Sequence, residues 1–178
     1  MKKLIWALII SFVIFPLISF TEGMVDHSPI LAVKDNASSL LQNMKKAAIF
    51  LTGNDAILTR LAEDLLSINM LNKGYDVVNR ETLEKVIGEQ IALKKKNGED
   101  ETINALNIGK LVDANSVITG TVILDYDEDG TFSSKLSSFQ LISVDGVTLI
   151  SAVYELPEGK LFSEISKGFA EIIMEKSK

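Results

Sequence analysis

The stretch Gly74-Tyr-Asp-Val-Val-Asn-Arg-Glu-Thr-Leu-Glu-Lys-Val-Ile-Gly-Glu-Gln90 decides how this chain folds. Tyr75 to Val78 has the composition of a short buried strand. Past Asn79, the residues Leu83, Val86, Ile87 and Ile91 recur at helical spacing, which predicts a helix from about Glu81 to Lys95 with those four inward. Asn97-Gly98 then stops it. A strand that turns straight into a helix needs a second strand beside it and a core beneath it. The flanking segments are therefore read as its packing partners.

Upstream, Lys46 to Thr52 is a short apolar strand closed by Gly53-Asn54-Asp55. Asp55 is placed to cap a helix over Ala56 to Asn72, whose Ile57, Leu61, Leu65 and Ile68 step by 4, 4 and 3 along one apolar stripe. Lys73-Gly74 ends it. A weaker helix covers Ala37 to Met44 with Asn36 as its cap, and residues 24–36 read as a linker or extended segment. Downstream, Thr102 to Val112 predicts a helix with Ile103, Leu106 and Leu111 inward. Val117 to Tyr126 is a long strand apolar on both faces, hence central. Thr131 to Val144 and Val147 to Leu156 follow as strands about an Asp145-Gly146 hairpin turn. Pro157-Glu-Gly closes that meander. Phe162, Ile165, Phe169 and Ile172 make Leu161 to Lys176 a last amphipathic helix. The expected fold is α/β (α+β): a mixed sheet of about five strands with a C-terminal antiparallel meander, packed by about four helices. The domain is assigned to residues 46–178, preceded by a linker and short helix over 24–45.

Met1-Lys2-Lys3 followed by the apolar run Leu4 to Phe20 is a targeting pattern. Small residues before Gly23 favour a cleaved signal peptide over residues 1–23 rather than an uncleaved anchor. Either way the domain is expected outside the cytoplasm, periplasmic or associated with the outer membrane. About 155 residues then remain, enough for one sizeable core. The formal charge of -6 becomes -7 without residues 1–23, which lose Lys2, Lys3 and Glu22. Such a balance argues against nucleic acid, because phosphate binding needs a concentrated basic face. The cluster Lys94-Lys95-Lys96 reads as a helix end. With no cysteine, disulfides, thiol catalysis and cysteine-held metals are excluded. His27, the single histidine, rules out a triad or a histidine-rich metal site within one chain.

Four segments together resemble the CsgG-like family, the curli production assembly/transport component, which is related in fold to the penicillin-binding-protein activator lipoproteins and the N-terminal domain of TolB. They are AAIFLTG, LTRLAEDLLSINMLNKG, YDVVNRETLEKVIGEQ and LNIGKLVDANSVITGTV, with FQLISVDGVTLISAVYE similar to the family's hairpin. The resemblance covers about two-thirds of the chain. It implies that Arg80, Glu89, Gln90, Gly109 and Gly120 are family positions with structural roles. Secretion-channel members are lipoproteins with long insertions that form membrane hairpins. Here the inter-element segments are too short for paired spanning strands of ~9–11 residues each.

Individual residues add little chemistry. Arg80 at a strand-to-helix junction is spaced to pair with Glu84 at i+4, and no nucleophile or histidine accompanies it. Gly109 and Gly120 are read as sites of close helix–strand approach. GKLVD lacks the frame of a phosphate loop. Asp125, Asp127, Asp129 and Gly130 open like a calcium loop, yet its twelfth position is Leu136 and the flanks read as strands, so a solvated acidic hairpin is the better reading. The expectation is an exported, non-enzymatic envelope accessory or assembly protein without cofactor or metal, acting through an envelope protein partner and open to forming a homo-oligomer. Membrane contact is expected only through the N-terminal segment if it is uncleaved. The alternatives are a secretion-pore subunit of CsgG-like type and a calcium-responsive binding module.

Overall fold

The computed structural model describes residues 28–100, 104–126 and 132–178. Among them run eleven elements. In chain order they are β1 Ile30–Val33, α1 Ala37–Leu41, β2 Lys46–Gly53, α2 Ala56–Asn72, β3 Asp76–Val77 and α3 Arg80–Asn97. Then follow α4 Ala105–Leu111, β4 Ser116–Tyr126, β5 Phe132–Ser143, β6 Thr148–Leu161 and α5 Phe162–Lys176. The six strands form one mixed sheet in the order β1-β6-β5-β4-β2-β3. β2 runs parallel to β3 and β4, while β4, β5, β6 and β1 are antiparallel neighbours. The fold is α+β, as its pattern of elements requires.

Chain chirality places the helices. α2 carries the chain from β2 to β3 on one side of β2, and α3 with α4 carries it back to β4 on the other side. Parallel crossovers are right-handed, so the two connections must lie on opposite faces of the sheet. α5 returns to the face of α2, with Asn69 Nδ2 donating to Ser166 Oγ at 2.8 Å. The larger core therefore lies between the sheet and α1, α2 and α5, around Phe139, Phe162 and Phe169. A smaller one, Ala48, Val78, Leu83, Ile108, Val112 and Ala114, lies under α3 and α4.

Local signals act as the sequence suggests at several joints. Asp55 Oδ1 accepts from the N–H groups of Ile57 and Leu58 at 2.8 and 2.9 Å. Gly74 and Gly98 take φ of 85° and 70° after α2 and α3, and Gly146 takes 88° in the β5–β6 turn. Gly109 lets α4 lie against β4: a Cβ there would sit 2.6 Å from Val117 Cγ2. Gly109→Ala is expected to cost about 1–2 kcal/mol, by overpacking that the Val117 side chain relieves in part. Urea unfolding checks this. At Gly120 a Cβ would overlap the backbone oxygen of Ser138 and lie 3.1 Å from Phe139 Cδ1, so the aromatic ring rests on bare backbone.

Four expectations change. The extended segment before α1 becomes a sixth strand, β1, along the outer edge of β6. Asn36 adopts φ 65° and makes no side-chain cap. β6 runs through Pro157 to Leu161, because its ladder with β5 steps from Glu155 to Lys160 and the missing proline N–H breaks no rung. Most informative is α2. Its buried residues are Leu58, Thr59, Ala62, Leu66 and Met70, whereas Ile57, Leu61 and Ile68 are 78, 38 and 53% exposed. The helix is apolar on both sides, and the inward stripe is one residue out of step with the sequence reading. The other helices differ less. On α3 only Leu83 is buried, and Ile108 rather than Leu111 carries α4. On α5 Ile173 is buried in place of Ile172, which packs at its margin.

Candidate functional site

β3 is so short that it pairs with β2 only at Lys46 and Ala47. Further along, the outer edge of β2 has an N–H at Leu51 directed away from β4. Glu63 on α2 supplies the missing acceptor, its Oε1 lying 2.9 Å from Leu51 N. Its Oε2 meets Arg80 Nη2 at 3.1 Å, and the same guanidinium nitrogen reaches Asp64 Oδ1 at 2.9 Å and the carbonyl oxygen of Arg60 at 2.8 Å. Arg60 in turn pairs with Glu84. Arg80 thus bonds across to α2, not down its own helix: Glu84 is taken by Arg60, and the expected Arg80–Glu84 pair is not formed. The reason is position. Arg80 is the first residue of α3 and points back over the α2 turn that carries Arg60, Glu63 and Asp64.

The cluster joins α3, α2 and the edge of β2. Burial raises the Glu63 carboxyl above its usual range, offset in part by the Leu51 N–H and by Arg80 and Arg60, while Asp64 adds to the rise. A pocket of 290 Å³ opens beside it, with Leu71, Val77 and Leu83 in its wall. Every oxygen of the Glu63 carboxylate, and Arg80 itself, is engaged within the fold. Glu89 is exposed and Gln90 half-buried further along α3, outside this cluster.

On the other face, α3 and α4 cover β2 and the start of β4 but not β5 and β6. The bare part forms a trough of 760 Å³, with Phe50, Ile87 and Val153 at its rim and Thr119, Thr121 and Gln140 on its floor. Glu63 is the one charged residue in its lining, and antiparallel sheets commonly leave one such face to water.

The acidic hairpin is only partly within the described residues, since Asp127 and Asp129 lie outside them. Asp125 Oδ2 pairs with Lys135 Nζ at 3.2 Å and Oδ1 accepts from Tyr126 N at 2.9 Å. Among the described residues no group of three or more carboxylates or histidines converges as a metal site would require. The Tyr154 phenol is buried and pushed up to about 12 by loss of water. No helix among the described residues is long and apolar enough to cross a membrane.

No protein-family model matches the chain, and no curated protein does. Solved structures are similar at low identity. A PelC dodecamer from Paraburkholderia phytofirmans is 15% identical over 84% of this chain and 96% of that one, with a TM-score of 0.49. Lipoprotein GNA1162 from Neisseria meningitidis is 12% identical over 74% and 95%, at 0.44. The LpoB C-terminal domain from Salmonella enterica is 16% identical over 66% and 89%, at 0.42. Likenesses of that size carry no conclusion about function.

What sequence reasoning missed is the outer face of α2. With 100° between successive helical residues, Ile57, Leu61, Asp64, Ile68 and Leu71 fall within about 40° of one line. That line runs down the middle of the solvent side. The available signal was the second apolar stripe itself, Leu58, Ala62, Leu66 and Met70, which left the first without a core to fill.

Proposed function

We propose that this chain is an exported, non-enzymatic accessory protein of the cell envelope that works by assembling with protein. The observation that carries this is the outer face of α2, where Ile57, Leu61, Ile68 and Leu71 are 78, 38, 53 and 53% exposed. Single exposed aliphatics are ordinary, but four on one line of a helix, interrupted only by Asp64, suit a contact surface. Fully burying such a side chain is worth about 1.5–3 kcal/mol, and a monomer forgoes the share that stays exposed. The ionisable groups support the same reading. Arg80, Glu63 and Asp64 hold the fold together, Asp125 is held by Lys135, and the Tyr154 phenol is too weak an acid to move protons near neutral pH. Export rests on Met1-Lys2-Lys3 and the apolar run to Phe20. The resemblance to the CsgG-like family points to the envelope as well.

Crosslinking in intact cells tests it. Wild-type chain is expected to give protein adducts that fall at least several-fold in Ile68→Glu, a variant whose far-UV circular dichroism should match wild type because Ile68 is solvent-facing. Adducts indifferent to Ile68→Glu, or no adducts at all, would remove the reading. Rings seen by negative stain in detergent would favour the secretion-pore alternative. A melting temperature raised by millimolar calcium would favour the calcium-responsive one, since a ligand selective for the native state stabilises it.

A further inference from the structure

We infer that the cavity between α5 and the β1–β6 edge of the sheet is a binding site for a free α-amino acid with an aliphatic side chain. It encloses 400 Å³, with Tyr154 and Lys160 from β6 and Glu164, Ile165, Gly168 and Ile172 from α5 in its wall. That is room for a small ligand and little more. The site is separate from the outer face of α2, so it stands or falls apart from the assembly reading.

Tyr154 is what calls for a ligand. It is only 6% exposed, and its phenol oxygen is buried with no hydrogen-bond partner among the described residues. Nearly all buried polar side chains in folded proteins are paired, so an orphan of this kind needs a cause. Gly168 leaves the phenol uncovered. Within 4 Å, a Cβ at Gly168 would meet only Tyr154 Oη, at 3.5 Å, which is ordinary contact. Packing therefore does not demand glycine here as it does at Gly109 and Gly120, and a helix interior favours alanine. What alanine would cover is the phenol oxygen.

The charges in the wall select the ligand. Burial keeps the phenol protonated, so it offers a donor, and the group that answers it is an acceptor such as a carboxylate. Lys160 supplies a cation to the same wall and enters no ion pair among the described residues. A bare carboxylate would also face three glutamates, Glu164, Glu171 and Glu175. Two of these are already answered: Glu171 pairs with Lys73 Nζ at 3.1 Å and Glu175 with Lys176 Nζ at 3.4 Å. Glu164 has no such partner, which leaves it for an ammonium. One donor, one cation and one anion without partners thus share a cavity with two aliphatic side chains. A zwitterion satisfies all three, its carboxylate taking Tyr154 and Lys160 and its ammonium taking Glu164. Ile165 and Ile172 then receive the aliphatic side chain. A simple amine would leave the phenol and Lys160 unanswered, and a simple acid would leave Glu164.

Calorimetric titration with L-leucine tests this in the full chain, solubilised with detergent where its apolar amino terminus requires it. Saturable binding of one leucine per chain is expected at millimolar ligand. Isocaproate and isoamylamine, which keep the side chain and one charged end each, should bind at least about tenfold more weakly. Gly168→Ala should weaken leucine binding about tenfold or more, at unchanged circular dichroism and with a melting temperature no lower than wild type. Tyr154→Phe should weaken it likewise without loss of stability, because it removes the orphan hydroxyl rather than a made bond. Absence of saturable leucine binding overturns the inference, and that is the result a phenol served by water alone would give. Leucine binding unchanged in folded Gly168→Ala or Tyr154→Phe overturns it too, as does an acid or amine that binds as tightly as the amino acid.

Discussion

Phe139→Ala is expected to cost about 3–5 kcal/mol, a large part of the stability of a domain this size. Phe139 is fully buried at the middle of β5. Its ring stacks on Phe169 with centroids 4.9 Å apart and stands edge-on to Phe162 and Tyr154 at 6.2 and 6.1 Å. Beneath it lies the backbone of Gly120, which has no side chain to swing into the space. Truncation therefore leaves a cavity walled by rigid rings on one side and sheet backbone on the other, a site that cannot collapse. The melting temperature should fall by about 10 °C, taking ~2–4 °C per kcal/mol at this length. Leu93→Ala, at a side chain 53% exposed on α3, should change stability by no more than about 0.5 kcal/mol. A loss under about 1.5 kcal/mol at Phe139 would mean that the aromatic cluster is not the centre of the core.

The same cluster shows which features were legible. Phe162, Ile165 and Phe169 announce α5 because their spacing admits one inward face, and Asp145-Gly146 announces the hairpin because only φ above zero closes that turn. Capping by Asp55 and the stops at Gly74 and Gly98 are equally local. α2 fails the test of uniqueness. Periodicity proves a helix there but offers two apolar lines, Ile57-Leu61-Leu65-Ile68 and Leu58-Ala62-Leu66-Met70, roughly 100° apart. Long-range anchors choose between them: Glu63 on Leu51 N–H and Asn69 on Ser166 fix the rotation of the helix, and neither contact leaves a trace in the spacing. β1 was hidden for a related reason. Four residues, ILAV, carry too little pattern to separate an edge strand from a linker until β6 is there to pair with.

Arg80 shows how far the candidate site could be read. Its place at a strand-to-helix junction is visible, but its partners lie 16 to 20 residues upstream on α2 and not at i+4. A helix-surface rule fills Arg80 with the nearest acid, Glu84. The fold gives that acid to Arg60 instead and sends Arg80 to Glu63, which holds the exposed edge of β2, and to Asp64 beside it. The consequence is a division of labour along α2. Its inner line builds the core, its polar flank closes the sheet edge, and its outer line stays exposed.

That flank makes the second large effect specific. Glu63→Ala is expected to cost about 2–3 kcal/mol, since it strands the N–H of Leu51 at the sheet edge and takes one carboxylate from Arg80. Glu63→Gln should cost far less, within about 1 kcal/mol near neutral pH. The amide oxygen still accepts from Leu51, and the penalty of a desolvated charge is removed along with its attraction to Arg80. The pair of variants separates hydrogen bonding from charge. pH supplies the sign. Because burial raises the folded-state pKa of Glu63 above the unfolded value of about 4.5, the folded chain binds that proton more tightly. The stability this confers is complete below the unfolded value and is lost as pH rises through the folded one. Wild type should therefore gain on Glu63→Gln as pH is lowered from 7 into the carboxylate range. Urea unfolding of the two at pH 7 and near pH 5 measures the gap. A gap that moves in favour of Glu63→Gln on acidification would show that Arg80 outweighs burial, and that this carboxylate is held in the fold as an ion-pair partner first and an edge cap second.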